Sequence, residues 1–107
     1  MLNENKILGL EMLGNFINDF ISKNEDSYSE KEERMAYLMK RSEIENPWFT
    51  IENQTYNLKQ WAGLFTKANI ENWLSKYQLA ETPKRVGLIL AGNIPIVGFH
   101  DIISVVL

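Results

Sequence analysis

Cysteine is absent from the 107 residues. That excludes a disulfide framework, every cysteine-ligated zinc or iron–sulfur site and any thiol nucleophile within the chain. One histidine, His100, leaves too few nitrogen ligands for a transition-metal site, and carboxylates alone favour hard cations, so no metal is expected. Basic residues are also few: eleven Lys plus Arg against fourteen Asp plus Glu give a net charge of −3. Phosphate-backbone binding needs a concentrated basic face, so nucleic acid is not an expected partner. The start, Met1-Leu2-Asn3-Glu4-Asn5-Lys6, lacks a basic segment followed by an unbroken apolar stretch, which predicts no secretory signal and a cytoplasmic setting. No apolar run reaches the roughly 20 residues of a membrane span, because Gly92-Asn93-Ile94-Pro95 and His100-Asp101 interrupt the carboxyl-terminal tail.

What is present is ordinary globular material: 45% hydrophobic, 11% aromatic and 23% charged residues in 12.4 kDa, the length of one domain. Area scaling predicts about 6,000 Å² exposed when folded against about 18,000 Å² unfolded. The charge is uneven. Residues 1–46 carry ten acids and six bases, and residues 47–107 carry four acids and five bases. The solvated surface is expected mainly in the first half. Residues 86–107 contain no Lys or Arg, and Asp101 is their sole formal charge, so this tail is expected to be buried.

Over residues 4–22, Leu10, Leu13, Phe16, Ile17, Phe20 and Ile21 recur at spacings of three and four, which predicts a helix with one apolar stripe. Gly14 either weakens that helix or lets a neighbour pack closely. Asn24 to Tyr28 reads as a loop. Ser29 and Glu32 form a capping box, and Glu30, Glu32 and Glu33 suit the positive end of a helix dipole; the pattern predicts a solvated start to a second helix over 30–44, burying Met35, Leu38 and Met39. Asn46-Pro47 ends it. Thr50 or Asn57 caps a third helix to about Lys67, with Leu58, Trp61, Leu64 and Phe65 inward. Asn69 caps a short fourth, with Ile70, Trp73, Leu74 and Tyr77 as its stripe, and Thr82-Pro83 closes the helical part.

At Arg85 the pattern changes. Val86-Gly87-Leu88-Ile89-Leu90-Ala91 reads as a strand covered on both faces, as in a parallel sheet. Gly92 to Pro95 reads as a turn, with Pro95 suited to open a helix along which Ile96, Phe99, Ile103, Val106 and Leu107 recur; their β-branching leaves a strand reading open. One strand cannot make a sheet. The expected architecture is therefore α-rich: about four helices in a region 1–82, followed over 83–107 by the first strand and helix of an incomplete Rossmann-like α/β domain. The chain is expected to be an amino-terminal fragment of a longer protein.

Several site motifs fail on spacing. Gly87 and Gly92 are separated as in a phosphate loop, but Asn93-Ile94 stands where Lys and Ser or Thr belong, and no G-x-G-x-x-G follows the strand. Adjacent His100 and Asp101 point about 100° apart on a helix and form no ready relay, so a buried histidine and a capping or paired aspartate are the expected roles. Trp48, Phe49, Trp61, Trp73 and Tyr77 either line an acyl pocket or, as their helical spacing favours, pack in the core.

The most specific stretch is Lys84-Arg85-Val86-Gly87-Leu88-Ile89-Leu90-Ala91-Gly92-Asn93-Ile94-Pro95-Ile96-Val97-Gly98-Phe99-His100-Asp101. With Asn46-Pro47-Trp48-Phe49-Thr50 and Glu71-Asn72-Trp73-Leu74 it resembles the acyl-CoA reductase family of the bacterial luminescence type, within the aldehyde dehydrogenase superfamily. The resemblance covers residues 46–107. It implies an NADPH-dependent enzyme that reduces long-chain fatty acyl thioesters to aldehydes through a thioester on a cysteine, with the cofactor on a Rossmann-like sheet.

Ala91-Gly92-Asn93-Ile94-Pro95 looks like the counterpart of the superfamily's Pro-Trp-Asn-x-Pro, with alanine and glycine replacing proline and tryptophan. By that resemblance Asn93 stabilises an oxyanion, and Ala91 and Gly92 lie beside the nicotinamide. A turn asparagine holding the strand-to-helix corner is the alternative for Asn93. With no cysteine, the chain alone is expected to be inactive and to hold NADPH weakly. Its apolar carboxyl end is expected to meet the rest of the parent chain or a second copy. The contrasting expectation is a non-catalytic helical protein-interaction module.

Overall fold

The computed structural model describes residues 4–78, 82, 84–92 and 96–107. Among these the chain forms five α-helices and one 3₁₀ turn. The longest helix, α1 (Glu4–Ser22), is the spine. Its apolar stripe is long enough to serve two separate clusters. Toward its carboxyl end Ile17 and Phe20 meet Met39, Leu58 and Ala62, whereas toward its amino end Ile7 meets Ile70 and Leu74. Ile7 extends the predicted stripe by one position toward the amino end.

A 3₁₀ turn (Glu25–Ser27) occupies the predicted loop, and the Tyr28 ring closes over Phe20 with centroids 5.1 Å apart. The second helix, α2 (Glu30–Glu45), begins with the expected capping box: Ser29 Oγ accepts from the Glu32 N–H at 3.3 Å and Glu32 Oε1 from the Ser29 N–H at 3.0 Å. Leu38, predicted inward, is exposed, while Met39 is buried and Met35 half-buried. Two turns contribute a narrower face than the pattern suggested.

Of the two candidate caps for the third helix, Thr50 holds the position. Its Oγ1 accepts from the Asn53 N–H at 3.1 Å, and the Glu43 carboxylate accepts from the Ile51 N–H at 2.6 Å. Asn57 lies inside the helix, its amide donating to the Asn53 carbonyl at 3.0 Å. This helix, α3 (Ile51–Leu64), stops short of Lys67. Thr66, rather than Asn69, caps α4 (Lys67–Leu74), accepting from the Asn69 N–H at 3.2 Å, so Tyr77 falls beyond its end. The early stop brings α4 across α1. Where the end of α3 meets α1, a Cβ on Gly14 would stand 2.8 Å from Phe65 Cβ, so the glycine serves close approach.

Lys84 to Gly92 forms neither helix nor strand, and there is no strand among the described residues. Val86, Leu88, Ile89 and Leu90 are exposed, Ile89 fully, which corrects the expected burial. The physical reason is the one that made a lone strand incomplete: no other strand among the described residues is present to complete a ladder. The last helix, α5 (Phe99–Val106), starts later than Pro95, which lies outside the described residues. Ile103 is its one buried residue, so the expectation of a helix covered nearly all round is also corrected. Lys6 Nζ donates to the Val106 carbonyl at 2.6 Å and ties the negative end of α5 to α1.

The exposed area is 8,339 Å², well above the roughly 6,000 Å² expected for this mass. The radius of gyration, 15.4 Å, likewise exceeds the roughly 13 Å of a compact chain of this length. The uncovered carboxyl-terminal segments contribute to that excess.

Candidate functional site

Two of the three stretches that carry the resemblance meet in space. Asn46, at the end of α2, donates its amide to the Gly92 carbonyl at 3.3 Å, while its side-chain oxygen accepts from the Trp48 N–H at 3.1 Å. One asparagine therefore orders the Asn46-Pro47-Trp48 corner and pins the segment ending at Gly92 to it. Ala91 and Gly92 are exposed, and Asn93 lies outside the described residues. A Cβ on Gly92 would find nothing within 4 Å. The segment folds back: Leu90 covers Gly98, where a Cβ would stand 2.6 Å from Leu90 Cδ2.

His100 is exposed, contrary to the expected buried histidine, and its ring lies against Trp73 with centroids 5.8 Å apart. Its Nδ1 is 3.5 Å from Ser104 Oγ, but that hydroxyl donates to the His100 carbonyl at 2.8 Å, so the contact is a helix back-bond rather than an activated nucleophile. The Asp101 carboxylate is exposed and has no partner among the described residues, which corrects the capped or paired role.

The aromatic residues divide. Trp48 and Tyr77 are exposed and Phe49 is half-buried, whereas Trp61 and Trp73 line one apolar cleft of about 290 Å³. Leu10 of α1, Phe65 at the end of α3, Ile70 of α4 and Ile103 of α5 form its other main walls. The rings of Trp61 and Phe65 meet Phe99 edge-on and each other at a tilt, with centroids 5.1 to 5.8 Å apart. Asn69 and His100 are its polar lining residues. The recurrence of Trp61, Phe65 and Trp73 signalled an apolar face; that the face is concave depends on the break at Phe65-Thr66, which the sequence reading placed inside one helix.

Two buried polar groups escaped the sequence reading. Gln54 donates its amide to the Met39 carbonyl at 3.0 Å and the Phe49 carbonyl at 2.7 Å, stapling α2 to the start of α3. Glu32, expected to be solvated, is 2% exposed and pairs with Lys23 at 2.9 Å. The Ser29 N–H first, and Lys23 second, hold its carboxyl below the ordinary glutamate range, and the same hydrogen bond raises the Lys23 ammonium. Register held both signals: Gln54 stands one turn before Leu58, and Glu32 two turns before Met39.

No group of three or more His, Asp or Glu among the described residues is placed to hold a metal ion, and no described helix is long and apolar enough to cross a membrane. Comparison with protein-family models, curated proteins and solved structures finds no match.

Proposed function

We propose that this chain is the amino-terminal part of an NADPH-dependent reductase that converts long-chain fatty acyl thioesters to aldehydes through a cysteine thioester carried elsewhere in the parent protein. The reading rests on the Lys84 to Asp101 motif. The observation that supports it is the state of that motif's apolar core: Val86 to Leu90 enters no helix and is exposed, apolar surface that neighbouring strands would cover in a sheet. The pinning of Gly92 by Asn46 adds support, since it joins two of the three stretches on which the resemblance stands.

In this reading residues 83–107 open a Rossmann-like cofactor domain. Ala91 and Gly92 contribute one backbone edge of the nicotinamide site, and NADPH, when the remaining walls are present, supplies the hydride. Asn93 directs its carboxamide toward the oxygen of the thiohemiacetal, a charge that exists only during reaction. The 107-residue chain alone consumes no NADPH in the presence of acyl-CoA.

The test is Asn93→Ala in the intact reductase. Turnover falls about a hundredfold while cofactor affinity and melting temperature hold. Unchanged turnover in a folded enzyme removes Asn93 from catalysis. Joint loss of melting temperature and cofactor binding assigns it to the turn instead.

The exposed apolar surface of Val86, Ile89, Ile102 and Val105 favours a second reading, a non-catalytic helical module that docks on a partner chain. The coding sequence beyond Leu107 separates the two. A following aldehyde dehydrogenase-like domain with a cysteine supports the reductase; its absence favours the module.

A further inference from the structure

The stretch 86–91 is bare along its backbone as well as along its side chains. None of the N–H or C=O groups of Val86 to Ala91 bonds to another described residue, and Val86, Leu88, Ile89 and Leu90 are exposed. Sheet edges in natural proteins are guarded against pairing with other chains by charges or proline within the strand. Residues 86–92 contain neither.

The bare surface continues past the stretch. The bond from Asn46 to Gly92 brings the Ile44 to Trp48 corner to its end, and Ile44 and Trp48 are 82% and 76% exposed. Area is sufficient for a partner. The exposed 8,339 Å² is about 2,000 Å² beyond that of a compact chain of this mass, and a stable interface takes about 800 Å² from each side.

Charge decides which partner fits. Lys84 and Arg85 precede the stretch; at its other end Leu90 touches Gly98, the cap of α5, whose first turn holds Asp101. None of these three charges has an ion-pair partner among the described residues. A second copy laid antiparallel brings its Arg85 opposite Ala91 and toward Asp101, and symmetry repeats the pair. Laid parallel, it would set Lys84 and Arg85 against their own images about 5 Å away.

We propose that a second copy of this chain pairs antiparallel with Val86 to Leu90, centred on Leu88, each Arg85 lying beside the other copy's Asp101. Val86 then faces Leu90, and Gly87 faces Ile89, across the pair. A patch that complements itself closes at two copies. The proposal rests on the reading of the chain as a docking module and names the partner.

Sedimentation equilibrium of the 107-residue chain tests it, and a dimer that dissociates on dilution is expected. Ile89→Lys, at a fully exposed position, raises the dissociation constant more than about a hundredfold, because each copy loses one apolar contact and gains a charge in the same interface. Arg85→Glu or Asp101→Arg alone raises it about tenfold, and Arg85→Glu with Asp101→Arg restores it, while circular dichroism is unchanged throughout. Since the chain has no cysteine, Lys84→Cys carries a single spin label. The two labels stand about 27 Å apart along an antiparallel pair and about 5 Å apart in a parallel one. A chain that stays monomeric at high concentration overturns the proposal, as do a dimer indifferent to Ile89→Lys, single charge variants that the double variant fails to rescue, and labels at the shorter distance. None of these touches the module reading, which falls instead if an aldehyde dehydrogenase-like domain follows Leu107.

Discussion

Helices α3 and α4 and the stretch 84–92 are both rich in large apolar residues, yet they fare oppositely. In the helices Leu58, Ala62, Ile70 and Leu74 come round every third or fourth position and are buried. In the stretch 84–92 Val86, Leu88, Ile89 and Leu90 are nearly consecutive and all exposed. A helix closes its backbone hydrogen bonds internally and needs cover along one stripe, which α1 supplies to both helices. A strand covered on both faces needs neighbouring strands and layers above and below, and no strand among the described residues supplies them. Apolar content therefore does not decide burial; the number of directions from which cover must come does.

The sharpest way to break this contrast is to remove side-chain volume from each region. Leu58→Ala should cost about 3 kcal/mol, because the space it leaves between α1, α2 and α3 cannot fully collapse. Chemical denaturation followed by circular dichroism measures it, and a loss under about 1 kcal/mol would mean that the helical core is as loosely held as the tail.

A smaller effect sharpens the polar side of the comparison. Ser29→Ala should cost about 1 kcal/mol by removing the hydroxyl half of the capping box. Glu32 gives that corner a pH dependence. Its folded carboxyl titrates below the ordinary value of 4.5, so its contribution is present above that value and lost as pH falls through the lower folded one. The Lys23 ammonium, raised above 10.5, contributes below that value and releases its contribution only as pH climbs through the raised one. Between those limits stability should be flat. Glu32→Gln should flatten the acid limb of a melting profile, and an unchanged acid limb would remove the ion pair as its source.

The smallest effect tests the exposed stretch. Ile89→Ser should move stability by less than about 0.5 kcal/mol, because Ile89 is fully exposed. It should also lower self-association measured by sedimentation. A destabilisation above about 1 kcal/mol would show that the stretch packs against something in solution.

How much was legible in the sequence follows the same division. The stripe of α1, the Ser29–Glu32 box, Thr50 as a candidate cap and the stop before Pro47 are all local, and all were readable. Boundaries that depend on a rival local signal were less so: Thr66 competes with Asn69 for the same turn, and its hydroxyl wins the Asn69 N–H. The strand expectation at 86–91 asked for neighbours that no local pattern can provide. For the site, the sequence singled out Trp61, Trp73 and His100 without showing that three helices bring them to one cleft, since that convergence rests on Gly14 admitting Phe65.

The two clusters served by α1 also separate in time. On a ribosome adding about 5 to 20 residues per second, Met39 follows Phe20 within roughly one to four seconds, whereas Ile70 follows Ile7 by roughly three to thirteen. The carboxyl half of α1 can thus be sheltered early by α2. Its amino half, made first, waits longest with its apolar face bare, so it is where a nascent-chain chaperone would find its foothold.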